Sequence, residues 1–314
     1  MFIGIIFVQV LVVIFLFIQI RQKSSSAQKV SVYPIDSKKI KIIASGSLKY
    51  FSEYTADPNG ATNETVERTW LPNKITYTIN KDSLNERFDY PIEKEKGVFR
   101  IITLGDSYTF GAFVNTKENW TELLEDQLNS AHICGSVKKY EVINLGGDGY
   151  DMAYETEKYA RRGVKYNPDL VIMFVVDFGR ISDIFQQSYI DLKLTDEEKT
   201  QLNNEGKYTY LYKRYDSLVS TSDRIKYQKK YFQRLLSIYP NKLLLVDHEK
   251  NPLYKNTLDD MGKIHNIVLG RTKQPLYGIG KYHLADGHPS PEGHEAIMQE
   301  IEAMLLKDKL IPCK

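Results

Sequence analysis

Ser107, His288 and Asp286 are the residue types from which a hydroxyl nucleophile is assembled. A serine hydroxyl attacks a carbonyl poorly until a base takes its proton, and an imidazole base needs a carboxylate to fix its tautomer. The serine sits in Gly105-Asp106-Ser107-Tyr108-Thr109-Phe110-Gly111. The other two sit far downstream, in Asp286-Gly287-His288-Pro289-Ser290-Pro291-Glu292-Gly293-His294. The chemistry open to such a trio is acyl transfer, which also requires donors aimed at a developing oxyanion.

Positioning these groups needs a strand, a turn and a helix. Residues 98–104 (VFRIITL) are apolar and β-branched enough for a buried parallel strand. A serine just past such a strand lies on a strand-to-helix turn at the carboxyl end of a sheet, where open α/β folds place their sites. Its backbone N–H is left free to face an anion, and Asp106 suits the cap of the following turn. The same heptapeptide would also serve as a solvated βα loop, and His288 would also suit a surface turn on its Pro-Ser-Pro run. Gly287, between Asp286 and His288, permits a backbone turn that brings both side chains together.

Taken in order, the Gly-Asp-Ser segment and the late Asp-Gly-His segment resemble the GDSL-type, or SGNH, hydrolase superfamily, from about Lys96 to the C-terminus. The resemblance implies Ser107 as nucleophile, His288 as base and Asp286 as its orienter, with a shorter Asp-to-His spacing than in many relatives. Residues 144–150 (NLGGDGY) look like the family's second block, and Gly149 aligns with the glycine whose N–H helps bind the oxyanion; a tight βα turn is the alternative. The third block departs from the pattern. Relatives carry an oxyanion-binding asparagine after the third strand, whereas residues 174–180 read FVVDFGR. Asp177 is the nearest polar substitute, and ungapped alignment puts Phe178 there. An ionised carboxylate at that point would repel the oxyanion; a protonated one would donate to it.

The rest of the catalytic segment alternates strands with helices. Apolar runs at 140–145, 169–175, 242–246 and 265–269 read as strands. Trp120, Leu123, Leu124 and Leu128 stripe one helix; Ile225, Phe232, Leu235, Leu236 and Tyr239 another; Ile297, Ile301, Met304 and Leu305 the last. The alternation predicts a doubly wound parallel sheet flanked by helices, a three-layer flavodoxin-like arrangement. Residues 182 to about 223 break it, and their charged and tyrosine-rich mix predicts an exposed helical insertion. Upstream, short strand patterns at 39–43 and 74–79, with a turn at 57–60 (DPNG), predict a small β-rich accessory segment with no readable chemistry.

Residues 2–20 are apolar apart from Gln9 and Gln19, and as a helix would span about 28 Å, close to a bilayer core of roughly 30 Å. The division expected is therefore a transmembrane anchor at 1–22, a linker and accessory segment at 23–95 and a catalytic domain at 96–314. The long apolar stretch without a basic leader favours an uncleaved anchor. Arg21, Lys23 and Lys29 pull the following chain toward the cytoplasm, but long domains translocate largely regardless of charge. The resemblance favours an extracytoplasmic catalytic domain.

Composition excludes little. Lys and Arg number 42 against 40 Asp and Glu in 314 residues, so no charge excess points to nucleic acid. The glycine cluster at 146–149 does not complete a dinucleotide fingerprint, since Met152 takes the last position. His283, His288, His294 and Asp286 match no zinc spacing, so no metal and no cofactor is expected. Cys134 and Cys313 are the only cysteines, and their pairing is open. Asn63-Glu64-Thr65 and Asn119-Trp120-Thr121 match a glycosylation acceptor pattern that also arises by chance. The function expected is a carboxylic-ester hydrolase acting on acyl esters, O-acetyl foremost, of a glycan or lipid-like substrate. An acyltransferase on a surface glycan and a binding protein on a weakened hydrolase scaffold are the alternatives.

Overall fold

The computed structural model describes residues 63–130, 137–184, 215, 218–248, 251–273 and 280–312. The expected anchor, the 39–43 strand, the 57–60 turn, Cys134 and Cys313 lie outside the described residues. Among the described residues no helix is long and apolar enough to cross a membrane.

The first elements are a two-stranded antiparallel ribbon, β1 (Asn63–Val66) and β2 (Ile75–Thr78), paired Val66 to Ile75 and Asn63 to Thr78. The main sheet then builds in sequence: β3 (Val98–Gly105), a short helix α1 (Ser107–Phe110), α2 (Trp120–Ser130), β4 (Lys139–Asn144), α3 (Met152–Lys158), β5 (Leu170–Val175), α4 (Thr221–Ile238), β6 (Leu243–Asp247), α5 (Lys255–Met261), β7 (Ile267–Arg271) and α6 (Pro291–Lys307). Its five strands are all parallel, in the order β4-β3-β5-β6-β7. Counting sheet strands along the chain, that is the 2-1-3-4-5 order of flavodoxin-like folds, with a switch point between β3 and β5.

Side-chain alternation divides the strands between two faces. Ile102, Leu104, Val171, Met173, Leu243 and Leu245 face α3, α4 and α5; Ile101, Ile172, Phe174, Leu244 and Val246 face α2 and α6. Both faces are covered, which is why these strands read as near-continuous apolar runs. On α2, Trp120, Leu124 and Leu128 are fully buried at helical spacing. On α6, Ile297, Ile301 and Leu305 do the same, after Ser290 caps the helix by accepting from Gly293 N–H at 3.2 Å.

The exposed edge of β4 is closed by side chains. Its outward N–H groups at Tyr140, Val142 and Asn144 donate to Asn129 Oδ1 (2.9 Å), Glu125 Oε2 (2.7 Å) and Glu86 Oε1, respectively. An edge so satisfied offers no template for a further strand. Arg100, with no exposed side-chain surface, ties the segment before β3 to the sheet. Its guanidinium pairs with Glu141 at 2.6 Å and donates to the carbonyls of Pro91 (2.8 Å), Ile92 (3.1 Å) and Tyr166 (2.7 Å).

The described ends of the 182–223 stretch are mixed in exposure: Ser182, Asp183, Ile184, Tyr215 and Val219 are buried, Ser220 to Asp223 are exposed, and α4 begins at Thr221. Asp183 is satisfied internally, accepting from Tyr154 Oη. Asn119, in one of the two chance matches to the glycosylation pattern, is fully buried, and its amide donates to the carbonyls of Thr109 (2.9 Å) and Phe110 (3.1 Å).

Candidate active site

Ser107 opens α1 at the carboxyl end of β3, beside the switch point. Asp106 caps that turn by accepting from Tyr108 N–H at 3.0 Å, and its other oxygen takes a 2.8 Å bond from Arg180 Nη2. Burial pushes the Asp106 carboxyl up, with Arg180 opposing. The aspartate of the Gly-Asp-Ser run thus fixes the loop and stands apart from proton transfer, its two oxygens engaged by backbone and arginine.

His288 Nε2 lies 2.9 Å from Ser107 Oγ, and its Nδ1 lies 2.7 Å from Asp286 Oδ2. Asp286 Oδ1 also accepts the His288 backbone N–H at 3.1 Å, so one carboxylate holds both ring and main chain. The turn depends on Gly287, whose φ of +92° is costly for a residue with a Cβ. Open space surrounds the position where that Cβ would go, so conformation and not crowding demands glycine. Burial pushes the His288 imidazolium down, but the hydrogen bond and charge of Asp286, with the charges of Asp148 and Asp106, outweigh it and leave the pKa raised.

Tyr108, next to the nucleophile, closes a second link between the two halves of the array. Its hydroxyl donates to the Gly287 carbonyl at 2.8 Å, while its own carbonyl accepts from Trp120 Nε1 at 3.1 Å. Burial raises the phenol further above the working range, so it remains a donor. His294, on α6, is fully buried and pushed down to about 3 by burial; its Nδ1 accepts from Trp120 N–H at 3.3 Å. It fastens α6 to α2.

The backbone N–H groups of Ser107 and Gly149 make no hydrogen bond among the described residues. Gly149 follows β4 with φ +70°, its carbonyl accepting from Ser182 Oγ at 2.7 Å. Asp177 follows β5; its carboxylate lies 3.8 Å from Arg180 Nε, and it lines a small cavity with Asp106, Tyr150 and Glu155. Phe178, the ungapped match to the missing asparagine, is buried against Tyr254 with ring centroids 5.3 Å apart. Among the described residues no group of three or more His, Cys, Asp or Glu is arranged to hold a metal ion.

Ser107, His288 and Asp286 were named from their residue types together with the family resemblance; Tyr108, Arg180 and Asp148 were given no role. Arg180 had a signal, as a cation in the run that follows the third sheet strand. Tyr108 stood in the motif itself, but its reach to Gly287 spans 179 positions and no local pattern encodes it.

The fold and this array define a doubly wound α/β protein with a serine, a histidine and an aspartate in hydrogen-bonded series. No family model matches the chain, and no curated protein does. Among the solved structures that it resembles are GDSL-type lipolytic proteins and several esterases. TesA is 14% identical with a TM-score of 0.46, over 68% of this chain and 99% of that one. An acetyl xylan esterase, AlAXEase, is 16% identical with a TM-score of 0.43, over 66% and 100%. A family 3 carbohydrate esterase from Clostridium thermocellum is 13% identical with a TM-score of 0.40, over 68% and 97%.

Proposed function

We propose that this chain is a GDSL/SGNH-type serine hydrolase that cleaves acyl esters. The observation that supports it most is the unbroken series of contacts from Ser107 Oγ to His288 Nε2 (2.9 Å) and from His288 Nδ1 to Asp286 Oδ2 (2.7 Å). Ser107 Oγ attacks the ester carbonyl as His288 Nε2 takes its proton. Asp286 holds Nδ1–H and stabilises the imidazolium. The oxyanion is met by the N–H groups of Ser107 and Gly149. His288 then protonates the departing alkoxide, leaving an acyl-serine that water hydrolyses with the same base.

The substrate in this reading is an O-acyl ester, foremost O-acetyl, on a glycan. The catalytic domain is held outside the cytoplasmic membrane by an anchor at 1–22. A fluorophosphonate probe tests the chemistry: it should label the wild type and fail on Ser107→Ala, and persistent labelling of the variant would remove Ser107 from the role. Protease added to intact spheroplasts tests location, since digestion of the catalytic domain only after lysis would put it inside.

A further inference from the structure

The ribbon β1–β2, in which the sequence offers no chemistry, reaches the histidine. Val66, Ile75 and Tyr77 pack with Leu71, Ile79, Phe110 and Phe113, so the ribbon's apolar face is covered by the loop that leaves the nucleophile helix. Polar bonds fix the register of that contact. Thr76 N–H donates to Asn115 Oδ1 (3.0 Å) and Thr78 N–H to Thr116 Oγ1 (2.7 Å), so β2 pairs with β1 on one side and with side chains of this loop on the other.

At the centre of the contact Phe113 has a φ of +66°, a region that disfavours a bulky side chain and is held only when the surroundings impose it. The Tyr77 hydroxyl imposes it by accepting the Phe113 backbone N–H at 2.9 Å. The result aims the Phe113 ring at His288, edge to face, with centroids 5.1 Å apart and an interplanar angle of 72°. Trp70, from the ribbon's connecting turn, stands edge to face on Phe113 at 4.9 Å. Both rings are half-buried, so each keeps an open surface.

The side of the reaction on which this wall stands follows from the chemistry. The base that takes the serine proton returns it to the leaving oxygen, so the histidine flanks the alcohol half of the ester. The acyl oxygen faces the Ser107 and Gly149 N–H groups. We propose that Trp70 and Phe113 form the subsite for the alcohol moiety, and that they receive the apolar face of a sugar ring bearing the ester. The ribbon is then a specificity element, and Tyr77 is the positioning residue that sets Phe113. This rests on the serine-hydrolase reading above.

The test varies the two halves of the substrate separately. Trp70→Ala and Phe113→Leu are assayed on ethyl acetate, on an acetylated methyl xyloside and on 4-nitrophenyl acetate and butyrate, with thermal melts run alongside. The expected result is a loss of about tenfold in kcat/KM on the xyloside ester, the scale of one aromatic contact. Ethyl acetate should change little, and the acetate-to-butyrate ratio should hold. Equal losses on every ester would reduce the wall to a structural part, and a changed acyl ratio would move it to the acyl side; either overturns the proposal. Tyr77→Phe should raise KM for the xyloside ester more than it lowers kcat, and an unchanged KM would remove Tyr77 from the positioning role. A turnover-free arm separates this idea from the hydrolase reading. Ser107→Ala protein should broaden the NMR lines of the acetylated xyloside, and adding Trp70→Ala should abolish the broadening. Broadening without turnover in the wild type would sink the hydrolase reading alone; broadening that survives Trp70→Ala would sink the subsite.

Discussion

Replacing Asp286 by asparagine removes one charge and exchanges an acceptor for a donor, and the geometry dictates where the exchange acts. One carboxylate oxygen accepts the His288 backbone N–H at 3.1 Å and the other accepts Nδ1–H at 2.7 Å. Asparagine has one acceptor oxygen and an NH₂ that only donates. If the oxygen keeps the backbone bond, the NH₂ meets Nδ1 and drives the proton to Nε2. The nitrogen that lies 2.9 Å from Ser107 Oγ then already carries a proton and cannot take another. A wrong tautomer in such an array costs about 10⁴-fold in rate, which is about 5.5 kcal/mol at 1.36 kcal/mol per decade. The assay is kcat/KM against pH on a small acetyl ester, with ¹⁵N NMR of the His288 ring to read the tautomer. Wild-type activity needs neutral His288, so its acid limb should lie above the ordinary histidine value of about 6.5. In Asp286→Asn that limb should move down, because burial still disfavours the imidazolium while the hydrogen bond and charge of Asp286 are gone and only the charges of Asp148 and Asp106 remain to oppose it. A fall of less than about tenfold, or a large fall with Nδ1–H retained, would refute the argument.

Tyr108→Phe removes only the hydroxyl that donates to Gly287; with a net hydrogen bond of about 0.5–1.5 kcal/mol, kcat should fall about 2- to 10-fold at unchanged KM, and an unchanged kcat would deny the link. His294 is held neutral in the folded state, with its pKa pushed down to about 3, whereas the unfolded chain binds a proton there below about 6.5. The wild type should therefore lose stability as pH falls from about 6.5 toward about 3, and His294→Gln should flatten that part of the urea-midpoint profile; an unaltered slope would assign it to other groups. Asp177→Asn supplies a permanent donor and should raise the esterase rate by about 10²-fold if Asp177 faces the oxyanion. An unchanged or lower rate would leave Ser107 and Gly149 as the donors.

The sheet was legible because its strands are buried on both faces: runs such as Leu170–Val175 admit little but a central strand, and the observed strand bounds differ from the expected ones by only one or two residues at either end. The helices α2 and α6 were legible from apolar residues repeating at four-residue spacing. Ser107, Asp286 and His288 were singled out because few combinations of residue types activate a hydroxyl and because their segments resemble the SGNH hydrolases; the structure brings the three within hydrogen-bond distance. The tertiary structure alone supplied what holds them. Arg180 on Asp106, Tyr108 on the Gly287 carbonyl and Phe113 on His288 are contacts between residues brought together by parallel crossovers and by the ribbon's docking. Such contacts leave no periodicity in the chain. The burial of the polar 182–183 pair was hidden for the same reason, since the groups that satisfy it belong to α3 and its neighbouring turns. Local sequence determines which elements form and which side chains are capable of chemistry; packing over long separations determines which of those side chains meet, and in what environment.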